Sequence, residues 1–171
     1  MNASNESCSS LVHALVSSRL DFCNSLLYGI PSNLLKKLQH VQNTAARIVT
    51  YTSRRDHITP ILSELHWLPV QYRIIYKILL FTYKALNDQA PSYIKDLLTE
   101  YVPLRKGLRS SELNYLVQPR SNFVKCGDRS FAVAAPKLWN GLPLCVRNAS
   151  NLHAFKSMLK THLYKEAFSC L

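Results

Sequence analysis

Apolar residues recur at helical spacing along most of the chain. In residues 9–28 they stand three or four positions apart, as Leu11, Leu15, Val16, Leu20, Cys23 and Leu27. This period is typical of an amphipathic α-helix. Gly29 and Pro31 follow, and a glycine and then a proline commonly end a helix. We therefore predict a first helix over residues 9–28.

A second helix is predicted from Ser32, which can act as its N-cap, to about Thr50. Its apolar stripe consists of Leu34, Leu38, Val41, Ala45 and Ile48, and its polar side carries Lys36, Lys37, His40, Asn43 and Arg47. We interpret this stripe as a seam that faces the core of a helical bundle, rather than as a groove that binds a partner.

The rest of the chain continues this pattern, with one interruption. Helices are predicted over residues 59–65, 69–86, from Pro91 to Tyr101, 129–140 with a break at Pro136, and about 151–170. The last should bury Leu152, Phe155, Leu159 and Leu163 and expose Lys156, Lys160 and Lys165. Between residues 102 and 126 the helical period fades, and apolar residues alternate around Tyr115 and Val117. Pro119 limits such a segment to an edge element.

These patterns predict a mainly α fold. We expect a helical bundle with a small irregular or short β-hairpin segment near residues 110–126. The predicted division is a helical region over 1–101, a linker or hairpin over 102–128, and a C-terminal helical tail over 129–171. With 171 residues and 47% hydrophobic content, the chain can bury a substantial core, and a disordered tail is excluded.

The chain is strongly basic, because it has 21 Lys and Arg residues against 10 Asp and Glu, for a net charge of +11. Such an excess indicates a polyanionic partner, nucleic acid or an anionic membrane surface, although a basic surface without a partner remains the alternative. Residues 1–7 lack the basic and apolar regions of a signal peptide, and no apolar run approaches a membrane span. We expect an intracellular protein, nuclear or cytoplasmic and not secreted. Its five cysteines should be free and mostly buried.

Two sets of basic residues are candidates for binding nucleic acid. Residues 31–60 hold five cations against the single acid Asp56, namely Lys36, Lys37, Arg47, Arg54 and Arg55. The predicted helix over 69–86 adds Arg73, Lys77 and Lys84, each directly preceded by a tyrosine: Tyr72, Tyr76 and Tyr83. Cations beside aromatic rings suit a phosphate backbone with stacking bases. Alternatively, the tyrosines pack at the edge of the core and the cations are solvated.

No pattern of catalytic residues is found in the sequence. A glycine-rich phosphate loop, an H-E-x-x-H or C-x-x-C metal motif and a pair of adjacent aspartates are all lacking. We therefore predict no catalytic residue, no metal site and no cofactor. Trp67 and Trp139 stand among prolines and apolar residues, and we expect them to anchor packing rather than to stack on bases.

Several longer segments resemble, in the same order, the region that follows the polymerase palm in non-LTR (LINE-type) retrotransposon reverse transcriptases of the CR1, L2 or jockey-like group. They are LDFCNSLLYG at 20–29, LQHVQNTAAR at 38–47, RDHITP at 55–60, LHWLPV at 65–70, VQPR at 117–120 and GDRSFAVAAPKLWNGLP at 127–143. The resemblance runs from about residue 10 to the end of the sequence and implies a thumb and C-terminal extension, which help to hold the RNA template and the growing cDNA.

In that family the palm carries the metal-binding aspartates, and no segment of this sequence corresponds to it. The resemblance therefore implies a catalytically inactive fragment with non-specific affinity for RNA or an RNA–DNA hybrid, and with a palm as its partner in the parent protein. No membrane partner is expected. The alternatives are a helical protein-interaction module, including one that self-associates, and a retroelement relic without function.

Overall fold

The computed structural model describes residues 3–102, 114–120 and 127–169. Over these ranges the chain is mainly α-helical and contains no strand, which confirms the predicted fold class. The hairpin predicted near residues 110–126 lies largely outside the described residues. The part that is described pairs instead with residues 99–101, through one antiparallel bridge between Glu100 and Leu116.

Nine α-helical segments are found in the described ranges. They are α1 (Ala3–Val12), α2 (Ser18–Asp21), α3 (Ser32–Thr50), α4 (Ile58–Glu64), α5 (Val70–Leu86), α6 (Ser92–Lys95), α7 (Phe131–Asn140), α8 (Leu144–Arg147) and α9 (Leu152–Phe168). The bounds predicted for α3, α4, α5 and α9 are confirmed to within two residues. The helix predicted from Pro91 to Tyr101 is wrong in length, because only α6 forms there.

The first predicted helix is interrupted. A π-helical turn, His13–Ser17, separates α1 from α2, and a 3-10 turn, Asn24–Leu27, follows Cys23, whose φ of 50° is left-handed. A π turn bonds residue i to i+5 and so shifts the helical register. The predicted apolar stripe is not buried at Leu11 and Leu15, which are 61% and 68% exposed, while the neighbouring Val12 is buried.

The chain divides into two compact units. The first unit comprises Met1–Ile74 with Leu163–Leu171, and the second unit comprises Ile75–His162. This partition differs from the predicted boundaries at 101 and 128, which stay a prediction.

The core of the first unit combines two alanines of α3 with larger apolar side chains. Its buried members are Val12, Ala45, Ala46, Val49, Ile61, Leu62 and Trp67. The seam predicted on α3 is therefore wrong at three positions, because Leu34, Val41 and Ile48 are exposed and only Ala45 of the predicted stripe is buried. The face of α3 that carries Ala45 and Ala46 is the one that packs into the core. Gln42 is buried beside them because its amide donates to the Leu68 carbonyl at 2.8 Å.

The second unit has an aromatic core. The Tyr83 ring stacks on Phe155 with 4.1 Å between centroids, and Trp139 lies 6.0 Å from Phe155. On α9 the predicted buried positions Phe155 and Leu159 are confirmed. The predicted break at Pro136 is wrong, because α7 runs through it. Pro136 removes one helical N–H donor, but its ring is fully buried and adds to the core.

Both tryptophans are buried, Trp67 in the first unit and Trp139 in the second, which confirms their expected role in packing.

The cysteine prediction is confirmed only in part. Cys8, Cys23 and Cys145 are free thiols, but Cys23 and Cys145 are exposed, so the expectation of mostly buried thiols is wrong for the described cysteines. Cys23 follows the end of α2, and Cys145 lies in the four-residue helix α8.

Candidate nucleic-acid interface

One face of α3 carries exposed basic side chains. Successive residues of an α-helix lie about 100° apart around the axis, so Lys36, Lys37 and His40 share one sector of α3. That sector lies opposite the buried Ala45 and Val49, and all three basic side chains are exposed. The amphipathic pattern of α3 therefore directs these groups to solvent.

The loop after α3 is held closed by Arg47. Its guanidinium donates hydrogen bonds to the backbone carbonyls of Ser53 and Asp56, the latter at 2.8 Å. The Asp56 carboxylate in turn accepts from the Ser53 N–H at 3.2 Å. Tyr51, with a left-handed φ of 54°, ends the helix and starts the loop. Arg47 is thus occupied within the chain, and we assign it to positioning the loop rather than to direct contact with phosphate.

Arg54 and Arg55 lie at the tip of this closed loop, and both side chains are exposed. We use the name α3 basic surface for these two residues of the loop together with Lys36 and Lys37, which lie near the start of α3. None of these four cations forms an ion pair with an acid in the described part of the chain. Lys36 and Thr50, near the two ends of α3, are separated by about 21 Å along the helix axis. That is the length of about six base-pair steps of a duplex.

The second predicted set of cations does not form a comparable surface. The Arg73 guanidinium makes a bidentate ion pair with the Asp21 carboxylate, in which Arg73 Nε lies 2.8 Å from Asp21 Oδ1. The Arg73 side chain is only 18% exposed. Its charge is therefore largely satisfied within the first unit. Lys77 and Lys84 are half-buried and belong to the second unit.

The tyrosines of α5 pack at or near the core, as in the second interpretation given above, and do not form a row of rings on which bases could stack. Tyr83 is buried against Phe155, and its hydroxyl donates to the Ala149 carbonyl at 3.0 Å. Tyr72 and Tyr76 are half-buried. Burial raises the pKa of the Tyr76 hydroxyl, as expected for a phenol at the edge of a core. None of the three rings is available as an open stacking platform.

An apolar strip borders the α3 basic surface. Leu34, Val41 and Ile48 are spaced seven residues apart, lie on neighbouring positions of the helix surface, and are each about half exposed. Sequence reasoning placed this strip in the core because it treated α3 as having one apolar face. The adjacent pair Ala45–Ala46 is the signal in the sequence that a second, smaller face exists.

No group of three or more His, Cys, Asp or Glu side chains in the described ranges is arranged to hold a metal ion. Nor is any described helix long and apolar enough to cross a membrane. Comparison of the chain with protein-family models, with curated proteins and with solved structures finds no match.

Proposed function

We propose that the chain binds RNA or an RNA–DNA hybrid non-specifically through the α3 basic surface, and that it does so as a catalytically inactive piece of a retrotransposon reverse transcriptase. The observation that carries the proposal is the arrangement of Lys36, Lys37, Arg54 and Arg55 as exposed cations of one unit without an acidic partner in the described residues. Such groups bind phosphates and release counterions.

Two further features support the proposal. The closed loop presents Arg54 and Arg55 on a fixed backbone, which lowers the entropy lost on binding. The resemblance to the post-palm region of LINE-type reverse transcriptases supports the choice of RNA or a hybrid as the polyanion. A module of this kind acts inside the cell, in the nucleus or the cytoplasm.

Salt dependence tests the proposal. Anisotropy of a labelled RNA–DNA hybrid should show binding that weakens log-linearly with salt. The slope should be about −3 to −4, because each neutralised phosphate contributes about −0.9. Replacing Lys36, Lys37, Arg54 and Arg55 by alanine should abolish most of this slope.

A matched variant controls for net charge. It replaces four exposed cations elsewhere, Arg129, Lys137, Lys156 and Lys160, by alanine. We expect it to keep the slope of the wild type. If the salt slope falls equally in both variants, only the overall charge attracts the hybrid, and this result would contradict an interface at α3.

A second candidate function is a protein-interaction module that self-associates or binds another protein. The observation that favours it is the exposure of large apolar residues in the first unit, namely Leu11, Leu15, Phe22, Leu26, Leu34, Val41 and Ile48. Apolar association depends weakly on moderate salt, unlike phosphate binding. Sedimentation of the chain alone distinguishes the two, because self-association should persist as salt rises.

A further inference from the structure

A cavity of about 600 Å³ lies within the second unit. Its walls include Tyr83 and Asn87 at the end of α5, Tyr101 and Tyr115 on the bridged segments, Trp139 of α7 and Arg147 of α8. This volume falls in the usual range for small-molecule sites. The α3 basic surface contributes no residue to it.

The walls of the cavity are fixed by hydrogen bonds. Asn140 donates to the Leu116 carbonyl and accepts from the Leu116 N–H, at 2.8 and 2.9 Å. The Tyr101 N–H donates to the Tyr115 carbonyl at 2.9 Å, and Trp139 Nε1 donates to the Asn114 carbonyl at 2.8 Å. The segment around Tyr115 is thus attached to α7 on one side and to Tyr101 on the other. The backbone of these walls is therefore fixed before a ligand binds.

The lining combines flat aromatic surfaces with amide groups. Tyr101 is 45% exposed, whereas the Tyr115 ring is covered on one face by the Arg147 guanidinium, 4.4 Å from the ring centroid. The side-chain amide of Asn87 donates to the backbone carbonyl of Tyr83 at 2.8 Å. The side-chain oxygen of Asn87 can therefore accept from a ligand. The side-chain oxygen Oδ1 of Asn148 accepts from the side-chain amide of Asn114 at 2.8 Å, and the side-chain N–H groups of Asn148 can donate to a ligand. The cavity therefore offers stacking together with both donors and acceptors.

The charges of the lining argue against an anion as the ligand. Glu100 and Arg147 are the charged residues on the described walls, and they have opposite signs. A phosphate would be repelled by Glu100, while the Arg147 guanidinium already lies over a ring. A neutral, planar group with hydrogen-bonding edges fits this lining better. Unpaired nucleobases have this chemistry, and proteins bind them by stacking on aromatic rings and by hydrogen bonds to their edges.

We propose that this cavity binds an unpaired base of a single-stranded nucleic acid, with Tyr101 as the stacking platform and the amides of Asn87 and Asn148 contacting the base edge. This is a second site, chemically distinct from the α3 basic surface, because it recognises bases rather than phosphates. Duplex nucleic acid, whose bases are stacked, does not enter it.

The test compares a short single-stranded oligodeoxyadenylate with a strand of equal length that carries abasic sites. Both strands have the same phosphates, so any difference in affinity reports the bases. The base-containing strand should bind about tenfold more tightly, which is the order of magnitude of one aromatic stacking contact. Tyr101→Ala should remove this difference, since it deletes the ring and keeps the backbone bond to Tyr115. The control Tyr93→Ala, at an exposed tyrosine of α6, should leave it unchanged.

Equal binding of the two strands, or a base preference that survives Tyr101→Ala in a folded protein, would overturn the assignment. If both strands bind equally, the α3 basic surface still stands. A second measurement uses adenosine itself, which has no phosphate and so bypasses that surface. In a Trp67→Phe background Trp139 is the sole tryptophan. Adenosine should quench its fluorescence, and no quenching at saturating adenosine would also overturn the assignment.

Discussion

The two units of this chain bury different kinds of side chain. The second unit packs Tyr83, Trp139 and Phe155 into one aromatic cluster. The first unit brings helices together over alanines at 45 and 46 and leaves Phe22 and Leu26 about four-fifths exposed. An aromatic cluster thus lies in the core of the second unit, whereas the core of the first unit combines the α3 alanines with Ile61, Leu62 and Trp67. Apolar spacing identifies the buried positions Phe155 and Leu159 of α9, but on α3 it selects Leu34, Val41 and Ile48, which are exposed.

The largest expected effect is a difference in unfolding energy between two phenylalanines. Phe155→Ala removes the fully buried ring that touches Tyr83 and Trp139, and should cost about 3–5 kcal/mol of stability. Phe22→Ala removes a ring that is 77% exposed, and should change stability by less than about 0.5 kcal/mol. Urea unfolding of both variants measures the contrast. Similar losses would mean that the surface residues of the first unit are packed, and the comparison between units would not hold.

A smaller effect is expected from Arg47→Lys, which keeps the charge but cannot bridge the Ser53 and Asp56 carbonyls as a guanidinium does. The loop that carries Arg54 and Arg55 should loosen, so affinity for the hybrid should fall a few-fold while the salt slope stays nearly constant. An affinity equal to that of the wild type would show that the position of Arg54 and Arg55 does not depend on the Arg47 hydrogen bonds. The control is Lys137→Arg, a change of the same kind at an exposed position of α7.

The smallest effect concerns the exposed ion pair of the second unit. Lys95 donates to Asp88 at 2.6 Å, and this hydrogen bond, followed by the negative charge of Asp88, raises the pKa of the Lys95 ammonium. A raised lysine pKa stabilises the fold below the ordinary pKa of lysine, and this contribution is lost as the pH rises through the raised value. Asp88→Asn should return the pKa of Lys95 towards its ordinary value. An NMR titration of the lysine side chains measures the shift, and an unchanged pKa would show that the pair does not persist in solution.

Much of the fold could be predicted from the sequence, for reasons visible in particular helices. Phe155, Leu159 and Leu163 are spaced four residues apart, which predicts the buried face of α9, and all three are buried. On α3 two apolar stripes compete, and the choice depends on how closely another helix can approach Ala45 and Ala46. That choice is made by tertiary packing and cannot be deduced from periodicity.

The candidate interface was less predictable than the fold. The cluster of Lys36, Lys37, Arg54 and Arg55 is a property of composition, so sequence reasoning could find it. The position of Arg47 on two loop carbonyls, and the pairing of Arg73 with Asp21, depend on distances between residues that are apart in sequence. The cavity was missed entirely, because its walls come from α5, α7, α8 and the bridged segments around Tyr101 and Tyr115.

The most direct test of the central claim is to locate the bound hybrid on the isotope-labelled chain by backbone NMR. The α3 basic surface predicts that a titrated RNA–DNA hybrid shifts the amide signals of residues 36–40 and 51–57 most, and that added salt reverses these shifts. Shifts confined to the region of Lys156 and Lys160, with residues 36–40 and 51–57 unaffected, would contradict the claim that α3 and its loop form the interface.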